Sequence, residues 1–299
     1  MSFLRGVLDS RSRTARRALD ERRLEDAERL LLEITNERPS SAPDWWNLGL
    51  VYKFQKRWRE SLKAFVRSAE LDAAPEAFWN AGVAATALRD WTMARWAWRR
   101  LEFDVGPGGG PPEADFGACP VRLNPDAEGE VVWGIRIDPC RVRIKSVPLP
   151  ESGHRWDDVV LHDVVPRGTR MHGDREVGVF DELERMDPSP HPTLQAELRW
   201  ARPQDEQELD GLFAGVDVGA ENWSSSIQML CAQCSVSSAH VHDAERPEEI
   251  RLRGTWGFGG NADVIRSILA TWSAQGDGRT VSGLEQATAR GRDVDHRLT

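Results

Sequence analysis

Several features that mark other classes of protein are scarce or missing in this sequence of 299 residues. No apolar run approaches the ~20 residues that a helix needs to cross a bilayer. The opening segment, MSFLRGVLDSRSRTARR, turns basic at once and lacks the apolar core of a secretory signal. Four cysteines are too few to form a disulfide scaffold in a chain of this length. We therefore expect a cytoplasmic protein without a membrane partner.

An excess of basic residues is missing too. The net charge is −9, whereas a general nucleic-acid binder carries a basic surface, so we expect no nucleic-acid partner. The charge is unevenly divided: residues 1–104 hold 19 Lys and Arg against 16 Asp and Glu, a net of +3, and the rest of the chain carries −12. In a chain long enough for two domains, this division predicts two modules.

Tyrosine occurs once, but there are 13 tryptophans, and seven of them precede residue 100. In the same region apolar residues recur at helical spacing, and short polar breaks separate the helical stretches. These stretches are RRLEDAERLLLEI, WWNLGLVYKF and RESLKAFVRSAEL. Helices joined by short connections pack as antiparallel neighbours, so the pattern predicts stacked helical hairpins.

A motif recurs in these hairpins. Its most complete copy is W-x2-L-G-x2-Y, formed by Trp45, Leu48, Gly49 and Tyr52 and followed by Phe65. Related positions before and after it are Ala15, Ala27, Leu31 and Pro39, then Phe78, Ala81, Gly82, Ala85, Ala94 and Trp98. The segment from about residue 8 to 104 therefore resembles three tetratricopeptide (TPR) repeats of ~34 residues. The alternative is an unrelated helical bundle with a coincidental motif.

The resemblance implies a three-repeat solenoid with a concave groove, lined by the first helix of each repeat, that binds a partner protein or peptide. Two tryptophans at equivalent positions would supply large apolar anchors, and the cations would favour an acidic segment. The alternative is that both tryptophans pack in the core or against the second module. The residues predicted to bind the partner are Arg16, Trp46, Leu50, Lys53, Trp79 and Val83.

The end of the helical module has no evident polar capping helix. Residues 105–114 form a Gly/Pro-rich linker that cannot continue a helix. A stack of hairpins exposes an apolar face at an uncapped end. We therefore predict that the C-terminal domain docks onto the third repeat, or that the chain forms a dimer there.

The second half changes to short β-like runs and then to alternating strands and helices. Residues 115–283 are predicted to form an α+β domain, with a small β-barrel over 115–190 and an α+β sandwich over 191–283 as one subdivision. Within this half, residues 181–187 are interpreted as an exposed charged face, and SSSIQMLC is predicted to be a strand. Residues 284–299 are predicted to be a polar tail.

One segment of this half has the residue types of a metal site. Two cysteines at C-x2-C spacing precede His-x-His, and two thiolates with two imidazoles close the tetrahedral shell of a structural zinc ion. The alternatives are a buried cysteine pair with solvated histidines, and a redox-active C-x2-C pair. The predicted ligands are Cys231, Cys234, His240 and His242.

Other candidates for chemistry are weaker. The glycine run WGFGG before Asn261 is interpreted as a turn that leads into a helix capped by Asn261, rather than as a phosphate loop. His154 and His162 lie near several aspartates but have no nucleophile beside them in the sequence, so they are interpreted as solvated strand and turn residues rather than as an acid/base or metal cluster.

The sequence therefore predicts a non-enzymatic adaptor for protein–protein interaction. The alternatives are a metal-dependent enzyme or regulator with its activity in the C-terminal domain, and a structural protein whose groove is filled by its own acidic domain.

Overall fold

The computed structural model describes residues 10–127, 129–226 and 252–289. By its internal contacts the chain divides into two compact units. Residues 1–116 and 137–140 belong to the first unit, and residues 117–136 and 141–299 belong to the second. Among the described helices, none has both the length and the apolar character required to cross a membrane.

The helical part of the first unit confirms the predicted α-helical solenoid. Residues 10–100 form six helices, and each one packs mainly on its neighbours along the chain. Their bounds are α1 Ser10–Asp20, α2 Leu24–Glu37, α3 Ala42–Phe54, α4 Trp58–Leu71, α5 Pro75–Ala87 and α6 Trp91–Arg100.

The turns inside the three hairpins share one backbone geometry. Arg22, Lys56 and Arg89 each have a positive φ, between 56° and 60°. In each case the next residue donates its backbone N–H to the carbonyl oxygen five residues earlier, at 2.8–2.9 Å. This is the bond that satisfies the last carbonyls of a helix ending in a left-handed residue. The intervals of 34 and 33 residues between these turns match the predicted repeat length.

The Gly/Pro-rich segment after α6 is fixed in place by an arginine of that helix. The Arg95 side chain is buried, and so are Val105 and Pro112 of this segment. The guanidinium donates hydrogen bonds of 2.5–3.3 Å to the carbonyl oxygens of Val105, Gly106, Gly110 and Pro111. The predicted linker is therefore an ordered strap on the third hairpin. Docking of the second unit or of another copy at this end stays a prediction.

The second unit contains the predicted mixture of strands and helices. Its first part is a closed five-stranded barrel in which neighbours follow chain order and β5 returns to pair in parallel with β1. Its small core is formed by alternate apolar residues such as Val121, Val142 and Val160. The strands are β1 Ala118–Leu123, β2 Glu130–Asp138, β3 Arg141–Ile144, β4 Val159–His172 and β5 Arg175–Asp187.

The second part is a four-stranded antiparallel sheet in the order β7-β8-β6-β9. Two helices contribute Leu209, Ile265 and Trp272 to a core shared with Trp256 and Phe258 of β8. The elements are β6 Leu194–Arg199, α7 Pro203–Phe213, β7 Val218–Asn222, α8 Trp223–Ser226, β8 Arg253–Gly260, α9 Ala262–Ala274 and β9 Thr280–Gln286.

Three details of the second half differ from the predictions. Residues 181–187, expected to be an exposed charged face, lie in strand β5, where Glu182 is buried and only Arg185 is exposed. The serines of SSSIQMLC that the structure describes belong to the short helix α8, and the remainder lies outside the described residues. Strand β9 continues to Gln286, past the predicted start of the polar tail at residue 284.

Candidate protein-binding surface

A half-buried apolar stripe runs along helix α3. Trp46, Leu50 and Phe54 follow one another at four-residue intervals, so they share one face of the helix. Each keeps part of its side chain exposed, while the opposite face of α3 is buried in the core. Trp46 also packs against a small cluster that includes Phe78 of the next hairpin. The stripe therefore packs against the core on one side and leaves part of each side chain accessible on the other.

Two arginines of the first hairpin lie over this stripe. The Arg16 Cζ atom lies 5.9 Å from the centre of the Trp46 ring, and the Arg22 Cζ atom lies 4.0 Å from the centre of the Phe54 ring. Cations at these distances are attracted to the face of an aromatic ring. Arg16 is exposed and forms an ion pair of 3.1 Å with Asp20, one turn further along α1. Apolar area and mobile positive charge thus lie side by side.

Two predicted binding residues are buried instead. Val83 is fully buried, and Lys53 is 3% exposed. The Lys53 ammonium donates a hydrogen bond of 3.0 Å to Oδ1 of Asn80, which ties α3 to α5. The prediction that Lys53 and Val83 contact a partner was wrong for this conformation, because both side chains are inside the packing of the unit.

Trp79 lies in an aromatic cluster of the same unit. Its ring centre is 5.4 Å from that of Trp98 and 5.0 Å from that of Phe103, both in edge-to-face geometry. Phe103 in turn contacts Phe116 at 6.1 Å. The chain that follows α6 therefore packs against Trp79, which stays half-buried like Trp46, and its role in partner binding stays a prediction. Of the six predicted residues, Arg16 is exposed and Trp46, Leu50 and Trp79 are half-buried.

The predicted zinc ligands Cys231, Cys234, His240 and His242 lie outside the described residues. Over the ranges that are described, no group of three or more His, Cys, Asp and Glu side chains is placed to hold a metal ion. The zinc site stays a prediction.

The histidines and aspartates of the barrel have separate local partners. His154 pairs with Glu182 at 2.7 Å, whereas His162 faces the backbone carbonyl of Asp163 at 2.6 Å. Asp157 forms ion pairs of 3.3 and 3.0 Å with Arg143 and Lys145. These contacts fix strands and turns, but His154, His162 and Asp163 are buried, so the expectation that they are solvated was wrong.

The glycine run before α9 has a packing role. Oδ1 of Asn261 accepts hydrogen bonds from the backbone N–H groups of Asp263 and Val264, so its predicted role as the N-cap is confirmed. The glycines, however, lie in strand β8 rather than in a turn. A Cβ atom on Gly257 would collide with the ring of Trp223, and one on Gly259 would collide with Trp156.

Two features of the surface were missed at the sequence level. Arg22 lies in the turn after α1, and Phe54 is the last residue of α3. Their contact depends on the left-handed backbone of Arg22, which directs the chain back across the helix end. A repeat-to-repeat comparison of turn positions is the signal that would have drawn attention to Arg22.

No protein-family model and no curated protein matches this chain.

Proposed function

We propose that the protein is a non-enzymatic adaptor that binds a partner protein or peptide on its helical unit. The observation that carries the proposal is the pair of arginines that lie over the half-buried stripe of α3. We define the binding surface as Arg16, Arg22, Trp46, Leu50 and Phe54. Tryptophan and arginine, both present on this surface, are among the residue types that dominate binding energy at protein interfaces.

The proposal includes the assignment of the three hairpins as TPR repeats. The recurring left-handed turns support it, because they repeat at the expected interval and depend on backbone geometry rather than on the sequence motif. The small residues support it as well, since Gly49 and Gly82 occur where the facing rings of Phe65 and Trp98 leave no room for a side chain. Glycine under an aromatic ring in two successive hairpins is the arrangement that such a repeat would produce.

We propose that the partner contributes an acidic segment. Residues 1–104 carry a net +3, and the exposed charges on the binding surface are those of Arg16 and Arg22. A carboxylate on the partner would compete with Asp20 for Arg16, and an apolar side chain would cover Leu50. Exposed ion pairs contribute little affinity, about 0–1 kcal/mol each. The apolar stripe would therefore supply most of the binding energy and the arginines the selectivity. The cytoplasmic location belongs to the same proposal.

Co-purification of the full-length chain from its native cell tests this function. The double variant Arg16→Gln with Leu50→Gln removes one charge and one apolar side chain from the surface. A matched control, Arg59→Gln with Leu62→Gln, makes the same change on helix α4, where Arg59 is exposed and Leu62 half-buried.

We expect a stoichiometric partner with the wild type and with the control, and its loss from the surface variant while the circular dichroism spectrum stays unchanged. Equal recovery of the partner with all three proteins would place binding elsewhere. A neutral or basic partner segment that still depends on the surface would contradict only the proposed acidic chemistry.

A further inference from the structure

The loop between β3 and β4, residues 145–158, joins the barrel to the sheet inside the second unit. The ring of Trp156 occupies the space that Cβ atoms on Gly219 and Gly259 would need, so it lies directly on the glycine face of β7 and β8. Val147 of the same loop accepts a hydrogen bond of 2.9 Å from Nε1 of Trp223. We call residues 145–158 the joining loop. Because the loop contacts both the barrel and the sheet, loss of its contacts would uncouple the sheet from the barrel.

Three carboxylates from three different strands hold the joining loop. Glu221 of β7 accepts the backbone N–H of Val147 at 2.9 Å. Glu130 of β2 accepts the backbone N–H of Leu149 at 3.1 Å. Glu182 of β5 pairs with the ring of His154 at 2.7 Å, where both side chains are less than 10% exposed. The loop is therefore held at its start, middle and end by groups that bind or release protons.

Glu130 is in an environment that disfavours its charge. Burial raises the pKa of Glu130 to about 7, and the negative charges of Glu221 and Glu151 act in the same direction. The hydrogen bond from Leu149 and the charge of His154 oppose these effects without cancelling them. Glu130 thus exchanges its proton near neutral pH as long as the loop is closed.

His154 also holds its proton more firmly in the closed loop. Burial alone would lower the pKa of His154, but the hydrogen bond and the charge of Glu182, helped by Ser152 and Asp158, raise it overall. Arg185 is a cation close to His154. Its guanidinium donates a hydrogen bond of 2.7 Å to the carbonyl oxygen of Gly153 and lies 3.5 Å from the carboxylate of Asp158. The ion pair with Glu182 persists only while His154 is protonated.

Both groups therefore bind protons more tightly when the loop is closed than when it is open. A raised pKa in the closed state stabilises that state below the ordinary pKa of the group, and this stabilisation is lost as the pH rises through the raised value. Protonation of Glu130 and protonation of His154 therefore both favour the closed loop. Alkaline pH leaves Glu130 charged beside Glu221 and removes the charge that attracts Glu182.

We propose that the joining loop is a proton-dependent latch, which fastens the barrel to the sheet when Glu130 and His154 are protonated and loosens as the pH rises. The latch lies in the second unit and does not depend on the proposed adaptor function. Its geometric basis is the buried His154–Glu182 ion pair and the contact of Trp156 with Gly219 and Gly259, together with Glu130, which lies close enough to Glu221 for their charges to repel.

Hydrogen exchange of the full chain at pH 6 and pH 8 tests the latch, with rates corrected for intrinsic exchange. The reporters are the amides of Val147 and Leu149, which the carboxylates bind directly. We expect the open fraction of the loop to be about tenfold larger at pH 8, since the Glu130 shift alone produces a change of that size. Amides of the barrel core, such as that of Val160, serve as the internal reference.

Three variants separate the latch from general stability. Glu130→Gln keeps an acceptor for Leu149 but cannot ionise, so the pH effect should fall to the smaller contribution of His154. Glu221→Gln removes a like charge, so the transition should move to lower pH even if the first variant folds poorly. Asp174→Asn, at the exposed turn between β4 and β5, is the matched control and should behave as the wild type.

Equal protection of Val147 and Leu149 at both pH values in the wild type would overturn the proposal. So would an unshifted transition in Glu221→Gln. A pH effect of the same size in Glu130→Gln would show that other groups cause the opening, which also overturns it.

Discussion

Gly49 lies directly under the ring of Phe65, so that a Cβ atom on residue 49 would be 2.7 Å from two ring carbons. The two residues belong to the two helices of the second hairpin, and the hydroxyl of Ser61 donates a hydrogen bond of 3.0 Å to the carbonyl oxygen of Gly49. Gly82 and Trp98 repeat the arrangement in the third hairpin. The absence of a side chain at these positions sets how closely the helices of each hairpin approach.

Overpacking usually costs about 1–3 kcal/mol and the helix preference of alanine returns ~1 kcal/mol, so Gly49→Ala should lower the free energy of unfolding of the helical unit by up to about 2 kcal/mol. The new methyl group must displace the fully buried ring of Phe65, and this cost outweighs the ~1 kcal/mol by which alanine favours a helix over glycine. Urea unfolding followed by circular dichroism measures the change.

Gly211→Ala provides the comparison for that substitution, because Gly211 lies in helix α7 and a Cβ atom there meets nothing within 4 Å. It should leave stability unchanged or raise it slightly. A stabilising effect of Gly49→Ala would show that the hairpin can open at this point, against the packing described above.

Arg95→Met should release the strap of residues 105–111. Methionine preserves much of the buried volume but leaves four carbonyl oxygens without their cationic donor, and the cost should be about 2–3 kcal/mol. Amide exchange within the strap and exposure of Trp79 to a fluorescence quencher report the release. Arg99→Met removes one long bond of 3.4 Å to Gly106 and should have a much smaller effect. Equal effects from both variants would mean that the strap is held in some other way.

Asp205 should make the sheet of the second unit sensitive to acid. Its carboxylate accepts hydrogen bonds from the side chain of Arg202, from that of Arg279 and from the backbone N–H groups of Ala201 and Arg202. These contacts, that of the Arg202 side chain first, hold the pKa of Asp205 well below its ordinary value. A lowered pKa contributes stability that is present above the ordinary value and lost as the pH falls below it.

The test is the unfolding midpoint of the second unit between pH 5 and pH 2. In the wild type it should fall with the pH, and in Asp205→Asn it should start lower at pH 5 and change less. Asp263→Asn is the control, because Asp263 is exposed and pairs only with Arg266 among the contacts seen in the described chain. An acid transition unchanged in Asp205→Asn would assign the sensitivity to other carboxylates.

The predicted zinc site can be tested without a description of its residues. Elemental analysis of protein purified without chelator should find close to one zinc per chain if the two cysteines and two histidines form a closed shell. Cys231→Ser with Cys234→Ser should then abolish the zinc, whereas Cys119→Ser, in the barrel core, should retain it. A zinc content near zero in the wild type leaves the buried-pair and redox alternatives.

The helical unit was predictable because its constraints are local and repeat. The glycine and aromatic positions follow from the close approach of two helices within one hairpin, and the sequence shows them at constant spacing. The environment of the Trp79 side chain was not predictable in the same way. Its ring contacts Phe103 because the chain after α6 folds back, and that path depends on Arg95 binding backbone carbonyls rather than on any apolar pattern.

In the second half of the chain, prediction failed where a residue type or a backbone conformation is determined by contacts with residues far away in the sequence. The glycines before Asn261 have the pattern of a turn, but Gly257 and Gly259 are small because tryptophans from distant parts of the sequence lie against them. Strand β5 has mostly charged residues, and its strand conformation comes from pairing with the neighbouring strand β4 and with β1, about 60 positions earlier. The contact of Glu130 with Leu149 likewise has no counterpart in the local sequence.

Arg95 binds main-chain oxygens, so the position of the strap depends on the path of its backbone. Few of its side chains contribute. Cβ atoms on Gly109 and Gly110 would meet nothing within 4 Å, whereas Gly106 and Gly108 have the positive φ that favours glycine. Residues 109 and 110 can therefore change in evolution, or carry a label or a short insertion, while Arg95 cannot. A chain with a different sequence here but with the same arginine would keep the same closure of its third hairpin.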